Sequence, residues 1–402
     1  MSVVVREALI LAGGLATRLG DAARDVPKCL QPVAGRPFLD HILWEVRRHG
    51  VRRVVLCTGR LHDAVAEHVG NGSAFGVEAV YSREPEPLGT AGALALAASL
   101  VQGDVVFALN GDSLCDCNLT ELGRRLRSAA AAEAALALAR VTDSGPYGSV
   151  ALGPDSRIEA FQEKGGRGNG LVNAGVYCLR ADWLRSLSVV HSSLERDVFP
   201  QLAEQGRLLG MASDAFFADI GTPASLAAAG PALAAWRRKP CAFLDRDGII
   251  NYDRGHLCDT TEFEFTPGMP EAIKMLNDAG WLAIVITNQA GIGRGKYTEQ
   301  EFEAFTAWID DRLAGGGAHV DAVYHCPHHP TAGVGEYRRE CECRKPSPGM
   351  VLRAIAEWEP DIARSFLLGD KESDVEAARA AGVRGVLYSG GDLRDVVRPL
   401  IE

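Results

Sequence analysis

The stretch Phe243–Asn251, FLDRDGIIN, constrains this chain more than any other. Phe243 and Leu244 read as the end of a buried strand. Asp245 and Asp247 follow where the strand stops and the chain turns. Gly248 lets the backbone bend there without a Cβ clash. Two carboxylates one residue apart at a strand's carboxyl end suit a Mg²⁺ site, because hard cations take oxygen ligands. One of them can attack phosphorus while the other moves protons. An isolated Asp-x-Asp would be a solvated acidic turn, but this one is followed by further strand-end motifs.

The chain has 402 residues, longer than one typical domain, so more than one is expected. A net charge of −10 argues against a nucleic-acid partner, which requires a basic footprint. No apolar run reaches spanning length, so no membrane partner is expected. Met1–Arg6 leads straight into an apolar strand without a secretory pattern, and a cytoplasmic location is expected. Of ten cysteines, Cys326, Cys341 and Cys343 gather around histidines, which suits metal binding in a reducing compartment better than disulfides. Cys115, Cys117 and the other five read as ordinary small residues. Ala227–Ala235 is helical, with Pro231 inside it. Trp236–Pro240 is a basic run ended by proline and reads as a solvated linker. The expected domains are residues 1–232 and 241–402, with a linker at 233–240.

In the first half, Ala8–Leu11 is a short apolar strand running into Gly13, Gly14, Ala16, Thr17, Arg18 and Leu19. Glycines after a strand let backbone N–H groups approach a phosphate. Arg18 adds a charge-assisted fork, and Lys28 is a second cation nearby in sequence. Pro37–His49 has helical periodicity, and Val51–Cys57 reads as the next strand. Such alternation indicates a doubly wound sheet. Pro87–Gly92 opens an alanine-rich helix whose small residues would let a flat base lie against the backbone. Val105–Leu109 is another buried strand, ending in Asn110–Gly111–Asp112, where open α/β sheets put their ligands. Asp219 matters if it meets Asp112 in space, because two carboxylates could hold Mg²⁺ on a nucleotide.

LAGGLATRL, DVPK, PLGTAG, NGD, EK, NAG and DIGTP, in that order, resemble the sugar-phosphate nucleotidyltransferases, and within them the heptose 1-phosphate guanylyltransferases. The resemblance covers about residues 1–230. It implies that Gly13, Gly14, Arg18 and Lys28 bind the triphosphate and that Gly89 lies near the base. It further implies that Asp112 and Asp219 hold Mg²⁺, and that Glu163, Lys164 and Asn173 meet the sugar phosphate. Ala16 replaces the usual glycine of the loop, and Cys29 a common proline. The chemistry is in-line attack by a sugar phosphate oxygen on the α-phosphorus. Positioning and charge neutralisation suffice for it, without a nucleophilic side chain.

In the second half, Pro267–Ala279 reads as a helix. Trp281–Ile286 reads as a strand delivering Thr287 and Asn288, and Gln289–Gly295 as a glycine-containing loop. Cys326-x-His328 and Cys341-x-Cys343 are two ligand pairs joined by a loop, which fits a closed tetrahedral, structural Zn²⁺ site. His329 beside them reads as a surface histidine. Arg344 and Lys345 follow at once, so the zinc loop would aim two cations, one for the reacting phosphate and one for a second anionic group. Phe366–Gly369 is a strand ending at Asp370.

FLDRDGIIN, TNQAGIGRG, CPHHP, CECRKPSPGM and LLGDKESD resemble the haloacid-dehalogenase-type phosphatases, and among them the zinc-containing heptose bisphosphate phosphatases. The histidinol phosphatases share much of the pattern. By this resemblance Asp245 forms an aspartyl phosphate, and Asp247 protonates the leaving alcohol and then activates water. Asp245, the main-chain carbonyl of Asp247, and Asp370 hold Mg²⁺. Thr287 and Lys345 hold the phosphoryl group, and Arg344 and Asn288 face the substrate.

The expected fold is α/β in two domains. The first is a Rossmann-like, GT-A-like mixed sheet. The second is a haloacid-dehalogenase-like doubly wound sheet with a zinc loop. The expected enzyme is bifunctional. It removes the distal phosphate of a heptose 1,7-bisphosphate and joins the remaining 1-phosphate to a nucleoside monophosphate, with GTP the donor that the resemblance implies. A hexose 1-phosphate nucleotidyltransferase fused to a histidinol-phosphate-type phosphatase is the other reading. Its partners are these small molecules, Mg²⁺ serves both sites, and the oligomeric state stays open.

Overall fold

The computed structural model describes residues 3–14, 25–144, 149–161 and 168–402. Ala16, Arg18, Glu163 and Lys164 lie outside the described residues. The chain divides into two compact units, Val4–Trp236 and Arg237–Glu402.

The first unit is built on a seven-stranded mixed sheet. Its spatial order is Leu208–Ser213, Ala134–Val141, Gly170–Arg180, Val105–Asn110, Glu7–Leu11, Arg53–Thr58, Glu78–Arg83. Glu7–Leu11 runs parallel to both of its neighbours, whereas Gly170–Arg180 is antiparallel to both of its own. Chain order therefore reverses between Glu7–Leu11 and Val105–Asn110. The crevice at the carboxyl ends of such a strand pair is where open α/β sheets take ligands. Gly13 and Asp112 both follow these two strands, and Gly111 N donates to Leu11 O at 3.0 Å. Leu9, Val55, Val106, Ala108, Leu136 and Tyr177 pack into one buried core behind the crevice.

The second unit is a five-stranded, wholly parallel sheet in the order Ala322–Cys326, Leu282–Asn288, Cys241–Leu244, Phe366–Gly369, Arg384–Leu387. Its central strand, CAFL, is buried throughout, as expected of a parallel strand covered on both faces. Phe243 is wholly buried, and its truncation to alanine would cost about 3–5 kcal/mol. The reversal of chain order falls between Cys241–Leu244 and Phe366–Gly369, so Asp245 and Asp370 leave adjacent strand ends.

Three local expectations differ from the structure. Gln289–Gly295 is not an open loop, because Ala290–Gly293 forms a short helical turn. Thr287 and Asn288 lie within the strand Leu282–Asn288 rather than beyond it. The basic run is not a solvated face. The helix Pro223–Arg237 continues through Trp236. Trp236 is buried edge-on against Trp44, and Lys239 is buried with its Nζ 3.3 Å from Gly280 O. An amphipathic lysine can bury its stem while its head finds a carbonyl.

Candidate active sites

In the second unit the strand Cys241–Leu244 stops because its next residue is needed elsewhere. Asp245 is buried, and its Oδ1 accepts from Arg246 N at 2.8 Å and from Lys345 Nζ at 2.8 Å. Lys345 is equally buried and also meets Asp374 Oδ1 at 2.7 Å and Ile286 O at 2.8 Å. Burial pushes the Asp245 carboxyl up to about 6 against the pull of Lys345. Burial pulls the Lys345 ammonium down, but Asp245 and Asp374 more than offset this and its pKa is raised. The lysine therefore stays charged, and its charge keeps Asp245 usable as an anion.

Asp370 comes close because Gly248 lacks a side chain. Gly248 has φ +100°, and a Cβ there would stand 2.3 Å from Asp370 Oδ2. Asp245, Asp370 and Asp374 each offer an oxygen to one small volume, with these oxygens within 4.8 Å of one another. Asp370 Oδ1 is buried and meets no hydrogen-bond donor among the described residues. An orphaned carboxylate oxygen beside two further carboxylates fits a hard divalent cation. The carboxylate of Asp247 lies outside this trio. It accepts from Arg246 Nε at 3.0 Å, Arg246 Nη2 at 2.8 Å, Asn251 Nδ2 at 3.0 Å and Gln289 Nε2 at 3.0 Å. Thr287 is buried, and its Oγ1 accepts from Gln289 Nε2 at 2.8 Å. Asn288 is tied to the main chain of Lys345. Its Oδ1 accepts from Lys345 N and its Nδ2 donates to Lys345 O, each at 3.1 Å.

Cys326, His328, Cys341 and Cys343 converge. Cys343 Sγ stands 3.2 Å from Cys326 Sγ, 3.3 Å from Cys341 Sγ and 3.4 Å from His328 Nδ1. A disulfide would need about 2.05 Å. Four ligands at ~2.0–2.3 Å around one ion, by contrast, stand roughly 3.3–3.8 Å from one another. The donor set thus fits a closed zinc site. His329 stays outside it, its Nδ1 accepting from Ala332 N at 3.0 Å. Arg344 is braced on the same loop, with Nη1 3.1 Å from His328 O.

The first unit holds a cavity of about 990 Å³, lined by Gly13, Gly14, Lys28, Glu84, Gly89 and Asp112 among others. Lys28 Nζ is ion-paired with Asp112. Ser113 Oγ lies 3.3 Å from Asp112 Oδ1 and 3.4 Å from Asp219 Oδ2, so the two carboxylates flank one hydroxyl. The pairing of Ser113 with Asp219 across two short strands brings them there. Two carboxylates sharing a hydroxyl are oxygen ligands suited to Mg²⁺. Gly89 has φ +70°, and a Cβ would stand 2.4 Å from Ser192 O, so only glycine fits this turn. A Cβ on Gly13 would meet Glu84 Oε1 at 2.7 Å and Gly59 N at 3.2 Å, so a side chain there would have to push the Glu84 carboxylate aside. Burial pushes Glu84 upward, although Leu88 N donates to it at 2.8 Å. Asn173 sits in the strand Gly170–Arg180, where its side chain joins Tyr177.

The nucleotidyl transferase family matches residues 7–235, more than half of the chain. The chain belongs to the nucleotidyl transferase family. Two crystal structures of HddC from Yersinia pseudotuberculosis, one complexed with GMP-PN, resemble the transferase half with TM-scores of 0.52. They are 27% and 28% identical in sequence, and the match covers 57% of this chain and 100% of each of theirs. The HAD-hydrolase-like family matches residues 342–397. The D-glycero-beta-D-manno-heptose-1,7-bisphosphate 7-phosphatase of Vibrio cholerae is 48% identical over 145 residues, covering 36% of this chain and 78% of that protein. The phosphatase of the same name from Rhodopseudomonas palustris is 43% identical over 164 residues, covering 41% of this chain and 91% of that protein. The second half belongs with these phosphatases, so a nucleotidyltransferase and a phosphatase share one polypeptide.

In the nucleotidyltransferase half, sequence reasoning missed Glu84 and Ser113. A carboxylate one residue before Pro85 carries no motif that separates it from surface charge. In the phosphatase half it missed Asp374, Arg246 and Gln289. Asp374 had a signal: four residues after Asp370, on the first turn of the helix Glu372–Ala380, it returns to the same strand end. No helix among the described residues is long and apolar enough to cross a membrane.

Proposed function

We propose that this enzyme dephosphorylates D-glycero-D-manno-heptose 1,7-bisphosphate at C7 and then transfers a nucleotidyl group to the heptose 1-phosphate, releasing pyrophosphate. The observation carrying this reading is the joining, in one chain, of a half resembling heptose bisphosphate phosphatases to a nucleotidyltransferase half. The product of one is an acceptor for the other. GTP is the favoured donor, supported by the structural neighbour crystallised with GMP-PN. Both activities are assigned to the cytoplasm, where nucleoside triphosphates are available and where thiols such as the seven cysteines outside the zinc cluster persist.

In the phosphatase half, an Asp245 oxygen attacks the phosphorus and the bond to the C7 oxygen breaks. Asp247 gives its proton to that leaving oxygen. Water then attacks the aspartyl phosphate, Asp247 takes the water's proton, and phosphate leaves with Asp245 restored. Lys345 and Thr287 hold the phosphoryl oxygens, and Arg344 meets the 1-phosphate. Asn288 acts by fixing Lys345. Mg²⁺ held by Asp245, the main-chain carbonyl of Asp247 and Asp370, with the Asp374 carboxylate beside them, would neutralise charge on the phosphoryl group. Zn²⁺ would hold the loop that carries Arg344 and Lys345.

In the transferase half no covalent intermediate is needed. Gly13, Gly14, Arg18 and Lys28 bind the triphosphate, Gly89 lies by the base, and Asp112 and Asp219 hold Mg²⁺. Glu163, Lys164 and Asn173 receive the sugar phosphate, whose oxygen attacks the α-phosphorus as pyrophosphate leaves.

The test offers heptose 1,7-bisphosphate together with each nucleoside triphosphate in turn. The expected result is phosphate release followed by pyrophosphate and one sugar nucleotide, formed with GTP. Turnover of a hexose 1-phosphate or histidinol phosphate in preference to the heptose substrates would overturn it.

A further inference from the structure

Glu195 lies outside every motif used above, yet three side chains converge on it. It sits on the five-residue turn Leu194–Val198, wound to π pitch, a geometry frequent at functional sites. Its Oε2 accepts from Thr90 Oγ1 at 2.9 Å and from Ser193 Oγ at 2.8 Å. Its Oε1 accepts from Tyr177 OH at 3.0 Å. Thr90 follows Gly89 in the cavity wall and itself accepts from Leu194 N at 2.8 Å. The same segment ties down the Gly89 turn, with Ser192 N donating to Leu88 O at 2.9 Å and Ala91 N donating to Ser192 O at 3.0 Å.

The direction of these hydrogen bonds carries the inference. An ionised carboxylate only accepts. Tyr177 must therefore donate to Glu195, and its oxygen is left to accept from Asn173 Nδ2 at 3.1 Å. Burial, with Glu195 beside it, holds the Tyr177 phenol well above its usual pKa, so the proton stays in place. The other end of the Asn173 amide is set as well, because Oδ1 accepts from Gly175 N at 3.0 Å. The amide is thus held at both atoms.

We propose that Glu195 is a positioning residue of the transferase, which acts through Tyr177 to orient the Asn173 amide toward the acceptor sugar phosphate. Thr90 and Ser193 anchor one carboxylate oxygen so that the other faces Tyr177. The proposal rests on the reading of Asn173 as a sugar-phosphate contact.

The test compares wild type, Y177F, E195Q and the double variant in full-length protein, with heptose 1-phosphate and GTP varied separately. Y177F should raise KM for the sugar phosphate about tenfold, the size of one lost hydrogen bond, and leave KM for GTP within about twofold. E195Q should shift the same constant in the same direction. The double variant should be no worse than Y177F, since a residue acting through another loses its effect when the intermediary is gone. Equal rises in both KM values, or effects that multiply in the double variant, would overturn the proposal. Should E195Q fail to fold, Glu195→Asp takes its place: it keeps the carboxylate but shortens its reach to Tyr177, and an unchanged KM for the sugar phosphate would overturn the proposal. A wild-type chain without transfer activity would sink the function reading together with this one. An active wild type with unaltered variants would sink only the role of Glu195.

Discussion

The two halves handle phosphorus in opposite ways, and their charges are placed accordingly. In the phosphatase half, Lys345 lies within hydrogen-bond reach of both Asp245 and Asp374, and all three are nearly sealed from solvent. In the transferase half, Lys28 and Asp112 pair on the wall of a cavity of about 990 Å³, and Asp112 keeps 31% of its side chain exposed. A side chain that must form a bond to phosphorus needs a dry, fixed setting, where its neighbours' charges act at full strength. A site that only brings two substrates together needs room and loosely held counter-charges. Buried ion pairs cost more to desolvate than exposed ones. Such a cluster is therefore expected where covalent chemistry demands it and not where positioning suffices.

The largest effect should come from Asp245, the nucleophile of the proposed mechanism. Asp245→Asn is expected to lower phosphate release by roughly 10⁴-fold or more while transfer to supplied heptose 1-phosphate stays within about twofold. A parallel fall in transfer would break the contrast between the halves. Cys343→Ser should next remove zinc, read as metal content per chain, and cut phosphatase activity on the order of 100-fold without touching transfer. Full phosphatase activity in a zinc-free chain would show that the loop holds Arg344 and Lys345 unaided. The reciprocal change, Lys28→Ala, should lower transferase kcat/KM by about 10²-fold and spare phosphate release. Gly89→Ala should raise KM for the nucleotide about tenfold, because the turn is left-handed and Ser192 O blocks the new Cβ.

The smallest effect sharpens the contrast through pH. Burial raises Asp245 to about 6 from about 3.9 in the unfolded chain, so its protonated form favours folding. Its contribution to the stability of the chelator-treated protein should therefore be fully present below about pH 4 and be lost as pH rises through about 6, by on the order of 2 kcal/mol. Urea unfolding should show a steeper fall in wild type than in Asp245→Asn, where Asp370, also raised by burial, still contributes. An equal slope in the variant would place the titrating group elsewhere.

Much of this was legible in the chain itself. Alternating apolar strands and helices marked both sheets, and the strand-end positions of Asp112, Asp245 and Asp370 followed from where apolar runs stopped. Cys326, His328, Cys341 and Cys343 could be paired on spacing alone, because metal ligands in short clusters are rarely accidental. Asn288 and the run Trp236–Pro240 were harder. A polar residue after a strand looks the same whether it meets a ligand or a neighbouring main chain, and a basic run looks exposed until its partners are known. Glu84, Glu195 and Gln289 were silent for the same reason: a polar side chain outside a motif acquires meaning only from what lies opposite.

The positions of the strands along the chain and the types of residue able to bind phosphate or metal were determined by local sequence, since backbone sterics and side-chain chemistry act over a few residues. Which of those residues meet was decided by the tertiary structure. Asp219 reaches Asp112 through a pair of short strands, Asp374 turns back on Lys345, and Glu195 faces Tyr177. Contacts between distant segments depend on how the sheets and helices pack, and no window of sequence contains that geometry.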